Sequence, residues 1–280
     1  MKKLKQISVF ALAALALASC QKMERPPLGD YPKDTNPPNG PLKFYVAFDG
    51  NTTSTLRNAV DSIKANFPAD NPFTVIDGVR GKAAAGVNKK YIKYASFNSW
   101  ASSQSVSISV WFKQDGQTIN NIGTNGPAHI LSVKAVDNFH WSNSVALLFL
   151  EGNNTACAVK SLFVSNSGDN WFTWEGAQSI AGICDNNWHH LVLTYDETSS
   201  EAKLYIDGVQ NPNVRTWGTH GPLDLAISKI SEYRVGAGPS TSYDSGDWLA
   251  CSFKGGLDQL RLYSKVLSTA EIQALYTGKQ

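Results

Sequence analysis

Six glutamates lie between residues 43 and 280: Glu151, Glu175, Glu197, Glu201, Glu232 and Glu271. Hydrolysis of a glycosidic bond takes two carboxyls flanking that bond, about 5 Å apart for retention and farther for inversion. None of the six has an acidic residue two positions away, so no strand presents such a pair on one face. Glu151 and Glu175 are left as a pair that only folding could bring together. No Gly-x-Ser-x-Gly elbow, P-loop or HExxH sequence occurs. Catalysis is therefore not expected.

Binding chemistry is better represented. Sugar rings present flat apolar C–H faces that stack on aromatic rings, while flanking amides and carboxylates bond the hydroxyls. Trp141, Trp171, Trp174, Trp217, Tyr243 and Trp248 all fall in loop-like or strand-end stretches with polar neighbours. Those neighbours include His140 and Asn143, Asp169 and Asn170, Arg215 and His220, and Asp244 and Asp247. The competing reading is that most of these rings cover hydrophobic edges. His189 and His190 are adjacent, so on a strand they face opposite ways and do not readily ligate one metal together. A structural role is expected for both.

Four cysteines occur, Cys20, Cys157, Cys184 and Cys251. The last three cannot all pair, and the sequence cannot choose partners for one disulfide. Each lies in an apolar stretch, which reads as a buried free thiol. No CxxC or Cys/His cluster suggests zinc.

The elements that must position these groups read as strands. Val106, Ile108, Val110 and Phe112 alternate with Ser105, Ser107, Ser109 and Trp111. Leu191, Leu193 and Tyr195 alternate likewise, as do Ala202, Leu204 and Ile206. Val145 to Leu150 is a continuous apolar run, expected as a strand buried on both faces. Asp49-Gly50, Asp77-Gly78, Asp115-Gly116, Asp207-Gly208 and Gly255-Gly256 punctuate the runs as turns. Leu56, Val60, Ile63 and Phe67 have helical spacing, so residues 55–66 read as a short helix or as a loop followed by a short edge strand. Ser268 and Glu271 form a capping-box pair that predicts a short helix over about 269–276. An all-β sandwich is the expected class, with one sizeable core.

Residues 1–19 hold three of the 25 basic side chains and no acid, so the formal net charge of +2 belongs mostly to them. The remainder carries no basic field for nucleic acid. Lys2, Lys3 and Lys5 precede an apolar run, Ile7 to Ala18, that is shorter than the roughly 20 residues a bilayer span needs. Leu17-Ala18-Ser19-Cys20 then resembles the lipobox of bacterial lipoproteins, which implies lipidation of Cys20 and cleavage before it. Two or more acyl chains hold a protein stably on a membrane. Gln21 follows where an Asp would favour the inner membrane in some bacteria, so the outer membrane is expected, with the cell surface as the facing side and the periplasmic face as the alternative. Six prolines between residues 21 and 41 predict a semi-rigid tether of up to roughly 60 Å. The expected organisation is a signal peptide over 1–19, a lipidated Cys and linker over 20–42, and a folded domain over 43–280.

That domain resembles the laminin-G-like, concanavalin A-like jelly-roll domains of bacterial surface proteins. The resemblance is carried by Val46-Ala47-Phe48-Asp49-Gly50 with Val79-Arg80-Gly81-Lys82-Ala83, and by Val106-Ser107-Ile108-Ser109-Val110-Trp111-Phe112. It continues in Trp188 to Asp196 with Lys203 to Gly208, and in Phe253 to Tyr263 followed by Leu267-Ser268 and Glu271-Ile272. The segment 51–73 departs from the family in being longer and more regular than the usual loop. The resemblance implies a two-sheet antiparallel jelly-roll sandwich with a short C-terminal helix. It implies glycan sites on the concave sheet or its rim loops, and a structural Ca²⁺ between Asp49 and Asp258. Glycosidases of this fold carry a Glu-x-Asp-x-Glu-type strand, which this sequence lacks. The expected function is non-catalytic carbohydrate binding or adhesion at the envelope. The alternatives are an envelope protein that binds a protein partner, and a glycoside hydrolase of the same fold.

Overall fold

The computed structural model describes residues 39–66, 73–116, 118–119, 125–240 and 247–279. The signal segment, Cys20, the proline-rich stretch up to residue 38, Phe67 and Tyr243 lie outside the described residues. The strands are β1 (Leu42–Val46), β2 (Thr74–Asp77), β3 (Lys82–Ala85), β4 (Ile92–Tyr94), β5 (Val106–Lys113), β6 (Thr118–Ile119), β7 (Asn125–Gly126), β8 (Ala128–Ala135) and β9 (Ser144–Gly152). They continue with β10 (Cys157–Ser165), β11 (Gly168–Trp174), β12 (Trp188–Asp196), β13 (Glu201–Ile206), β14 (Val209–Gln210), β15 (Arg215–Thr216), β16 (Ile230–Val235) and β17 (Gly256–Tyr263). Helix α1 (Thr269–Gly278) follows.

One sheet runs β14-β13-β12-β5-β17-β3-β2, with β1 also on β17 and β15 also on β13. The other runs β11-β10-β9-β8-β16-β4. Every pairing is antiparallel. Their facing side chains make one core: Val106, Ile108, Val110 and Phe112 of β5 join Leu148 and Leu150 of β9 and Phe163 of β10. Burying each such side chain contributes about 1.5–3 kcal/mol. The alternation along β5 thus places the residues read as core inside the sandwich. The Asp207-Gly208 turn between β13 and β14 has φ of 51° and 79°, which its residue types tolerate.

Strand β9 is buried on both faces over Ser144–Leu150. Ala146, Leu148 and Leu150 enter the main core, while Leu147 and Phe149 join Leu162, Val164 and Leu249 in a second apolar cluster. The two sets alternate along one strand, so the second cluster lies on the sheet's outer face. Phe139, Trp171 and Trp248 pack onto it.

Residues 55–66 form turns and no helix. Asn58 is the cause. Its Oδ1 accepts from Tyr45 N at 2.9 Å and Val60 N at 3.1 Å, and Ser62 takes a left-handed φ of 64°. Leu56 and Val60 are buried all the same. The edge strand that follows is β2. At the other end Ser268 and Glu271 make the capping box, and α1 runs to Gly278. Ile272 packs with Val192, Tyr205 and Leu267 against β12 and β13. Trp111 and His190 lie under the same helix, with the Trp111 ring stacked on Tyr276 at 5.6 Å.

Candidate functional site

A pocket of about 520 Å³ opens on the outer face of β9, β10 and β11, lined by Phe149, Glu151, Lys160, Trp171, Thr173, Glu175 and Trp248. The register of three strands builds it. Lys160 of β10 stands opposite Phe149 of β9 and Thr173 of β11. One rung along, Leu162 stands opposite Leu147 and Trp171. In the other direction Ala158 stands opposite Glu151, and Glu175 follows the end of β11. Period two puts all of these side chains on one face.

The apolar end is a group of three indoles. Trp141 and Trp171 have centroids 6.0 Å apart, Trp141 and Trp248 6.0 Å, and Trp171 and Trp248 6.3 Å. Trp141 comes from the turn after β8 and is 59% exposed. Trp248 opens a short 3₁₀ turn whose cap, Asp247, accepts from Leu249 N at 3.0 Å. Beneath it the ring of His129 stacks at 6.0 Å, and His129 Nε2 lies 3.3 Å from the Trp248 carbonyl. Burial drives the His129 pKa down to about 3, so the imidazole is neutral at physiological pH.

The polar end is an ionic group. Lys160 Nζ lies 2.7 Å from Glu151 Oε2 and 2.8 Å from Glu175 Oε2. Burial works against the Lys160 charge, but the hydrogen bonds it donates to Glu151 and Glu175 outweigh it and raise its pKa. The Lys160 hydrogen bond holds the Glu175 carboxyl below its ordinary value. Glu151 and Glu175 therefore do meet, with a lysine between them.

A second constellation resembles a catalytic triad only on paper. His140 Nδ1 is 2.7 Å from Ser142 Oγ, and His140 Nε2 is 3.8 Å from Asp169 Oδ2. Ser142 is fully buried, so no substrate reaches its hydroxyl.

Of the aromatic candidates, Trp141, Trp171 and Trp248 come together, and Trp174 and Trp217 do not join them. Trp174 is fully buried in the main core, its Nε1 donating to the Asn213 carbonyl at 2.6 Å. It lies three residues after Trp171 on the same strand and so faces inward. Trp217 packs on that core beside Phe172 and Tyr195 and stacks on His220 at 3.8 Å. Tyr243 is outside the described residues. The sequence reading missed Phe149, Lys160 and Thr173 as lining residues. Their signal is the three-strand register, which single strands do not display.

Asp49 and Asp258 do converge on one turn, residues 78–81. Asp258 Oδ2 accepts from Val79 N at 2.9 Å, and Asp49 Oδ1 accepts from Lys82 N at 2.9 Å. A Cβ on Gly78 would stand 2.4 Å from Asp258 Oδ2, and one on Gly81 2.6 Å from Asp49 Oδ1. Asp258 is fully buried, and its Oδ1 has no hydrogen-bond partner. Burial, with the Asp49 charge adding to it, pushes the Asp258 pKa up to about 7. An orphaned carboxylate oxygen beside a second acid suits an oxygen-ligated cation, with main-chain carbonyls completing the set. Among the described residues no group of three or more His, Cys, Asp or Glu could hold a metal. His189 is engaged elsewhere, its Nδ1 2.7 Å from Asp207 Oδ2 and its Nε2 3.1 Å from Asp185 Oδ1. His190 Nε2 meets Ser109 Oγ at 2.9 Å on the opposite face.

Known structures share this architecture. Domain 4 of AbnA, a GH43 extracellular arabinanase from Geobacillus stearothermophilus solved with arabinotriose, matches at TM-score 0.54 and 21% identity, over 84% of this chain and 98% of that one. The binding domain of Paraclostridial Mosquitocidal Protein 1 matches at TM-score 0.56 and 15% identity, over 85% of this chain and 52% of that one. The binding domain of botulinum neurotoxin DC, in complex with SialylT, matches at TM-score 0.56 and 11% identity, over 86% and 52%. This chain spans about half the length of those toxin domains. No curated protein matches it. The profile of the laminin-G type 3 family covers residues 86–273, most of the sandwich described above, and the chain belongs to that family of the concanavalin A-like lectin/glucanase superfamily.

Proposed function

We propose that this protein is a non-catalytic carbohydrate-binding module, held at the outer membrane of a bacterium by lipid on Cys20 and displayed on a proline-rich tether. The observation that carries the reading is the Trp141, Trp171 and Trp248 platform beside the Glu151–Lys160–Glu175 group. Indole faces take the apolar face of a sugar ring, and the ionic group supplies both donors and acceptors to its hydroxyls. The two carboxylates are balanced by Lys160 and by the Arg215 charge that acts on Glu175, which favours neutral sugars over charged ones. The neighbours solved with arabinotriose and with SialylT support the choice of a sugar as ligand class for this fold.

Against a hydrolase stands the state of Glu175. A glycosidase needs one carboxyl with a raised pKa as general acid. Glu175 is shifted the other way by Lys160. We assign Asp49 and Asp258 to a structural Ca²⁺, which would charge-balance the Asp258 carboxylate and pin the 78–81 turn. The binding test is affinity electrophoresis on neutral and acidic polysaccharides, with a glycan array for short ligands. Retardation by a neutral polysaccharide that Trp171→Ala abolishes is expected. No retardation by any glycan, together with recovery of one stoichiometric protein partner through the anchored chain, would establish the envelope protein-interaction role instead.

A further inference from the structure

Two thiols meet below the polar end of the pocket. Cys157 opens β10, where it stands opposite Gly152 of β9. The segment between β11 and β12 turns back along that corner. Cys157 N donates to Ile180 O at 2.9 Å, and Ile180 N donates to Cys157 O at 2.8 Å. Gly182 N donates to Asn154 O at 2.8 Å, and Cys184 N donates to Asn154 Oδ1 at 3.2 Å. These bonds bring Cys184 to the corner that Cys157 opens, and both side chains, free thiols, enter the main core there. Both are buried, at 0% and 3% exposure. Cys251 sits at a different place, after the Trp248 turn, with its carbonyl accepting from Gly238 N at 2.9 Å.

We propose that Cys157 and Cys184 are a disulfide site, closed by a disulfide-donor oxidant, and that the bridge fixes the segment headed by Glu175. The same backbone supplies both groups. Glu151 is one residue before Gly152, the cross-strand partner of Cys157, and Glu175 begins the segment that ends at Cys184. The electrostatics give the two sulfurs different tasks. The Cys157 thiol and the nearby His189 charge hold the Cys184 thiol below its ordinary value, while the Cys157 thiol is pushed up. Cys184 as thiolate attacks the donor disulfide and one donor thiolate leaves. Cys157 then gives its proton to the released donor thiolate and attacks Cys184 Sγ, expelling the second donor thiolate, while the corner is still open during folding. Two protein thiols and one donor disulfide become one protein disulfide and two donor thiols. The closed loop is about 28 residues, long enough to restrict the unfolded chain appreciably.

This inference is independent of the carbohydrate reading, and its test uses no glycan. The full chain, reduced and unfolded, is refolded with oxidised glutathione as donor, alkylated under denaturing conditions and mapped by mass spectrometry. A linked Cys157–Cys184 peptide pair is expected, two hydrogens lighter than the separate peptides, with Cys251 alkylated. Reduction of the bridge should lower Tm by roughly 5–10 °C and speed amide exchange across residues 176–183. The C157S/C184S double variant should match the reduced wild type in both respects. If that variant does not fold, the comparison of oxidised and reduced wild type still decides. Alkylation of both Cys157 and Cys184, glutathione retained on Cys184, or a bridge through Cys251 or Cys20 would overturn the proposal.

Discussion

Glu175 reaches Lys160 at 2.8 Å across the outer face of the second sheet, and the same ammonium holds Glu151 at 2.7 Å. Removing the cation leaves two carboxylates facing each other. Lys160→Met is therefore expected to raise the pKa of at least one of them and to weaken glycan affinity by about tenfold or more, about 1.4 kcal/mol. Stability should change little, by about 0–1 kcal/mol, because Lys160, Glu151 and Glu175 keep 21%, 28% and 48% of their side-chain exposure. Isothermal titration at several pH values, with a thermal melt beside it, separates the two effects. A large Tm loss with unchanged affinity would make the group a structural clamp.

Trp171 and Trp174 belong to one strand and are expected to behave as different kinds of residue. Trp171→Ala and Trp248→Ala should each cost tenfold or more in affinity, about 1.4 kcal/mol, with the fold retained. Trp174→Ala should destabilise by about 3–5 kcal/mol, since its side chain is fully buried. Trp141→Ala should leave Tm nearly unchanged, the ring being 59% exposed, and should weaken binding. Denaturant unfolding and ligand titration on the four variants check this. Equal affinity for Trp171→Ala and wild type would remove the platform from the site.

The contrast between those two indoles marks where the sequence stops being legible. Period two says that residues three apart face opposite ways, but not which way is inward. That depends on Val159 standing opposite Trp174 and Leu162 opposite Trp171. Trp141 and Trp248 are far apart in sequence and meet because the turns carrying them both cover the outer face of β9, a tertiary fact with no local signal. The alternation of β5, the doubly buried run in β9 and the Ser268–Glu271 cap are local, and each reads correctly. The segment containing Leu56 and Val60 has helical spacing, yet Asn58 bonds Tyr45 N instead of sustaining a helix. Side chains that compete for backbone donors undercut periodicity in this way.

Calcium should stabilise the fold through Asp258. Without a cation its pKa is raised to about 7 by burial, above the unfolded value of roughly 3.9. The folded state then binds the extra proton, so this contribution is present at low pH and is lost as pH rises through about 7. A bound cation takes the proton's place. Added Ca²⁺ should therefore raise Tm more at pH 8 than at pH 5, and chelation should reverse the gain. Asp258→Asn should abolish the response. A calcium-insensitive melt across that range would dismiss the site.

Acid should undo the fold by a separate route, through two buried imidazoles. Burial lowers the pKa of His129 to about 3 and that of His190 to about 4. Unfolded, both titrate near 6.5. Between those values the unfolded chain binds protons that the native state refuses, so stability is full above about 6.5 and falls as pH drops toward 4. Each group contributes a slope of up to about 1.4 kcal/mol per pH unit in that window. His189 acts the opposite way. The Asp207 hydrogen bond raises its pKa, so its contribution is present at acid pH and is lost as pH rises through its folded value. Its window lies above about 6.5, and below that value it is protonated folded and unfolded alike, so it leaves the acid limb of the two buried histidines unaltered. His129→Gln should flatten that limb by about one proton in a pH series of urea melts. Because His129 stacks beneath Trp248 and stays neutral in the native state down to about pH 3, the glycan affinity of the folded wild type should hold across the same acid range. An unchanged limb in His129→Gln would place the acid sensitivity elsewhere.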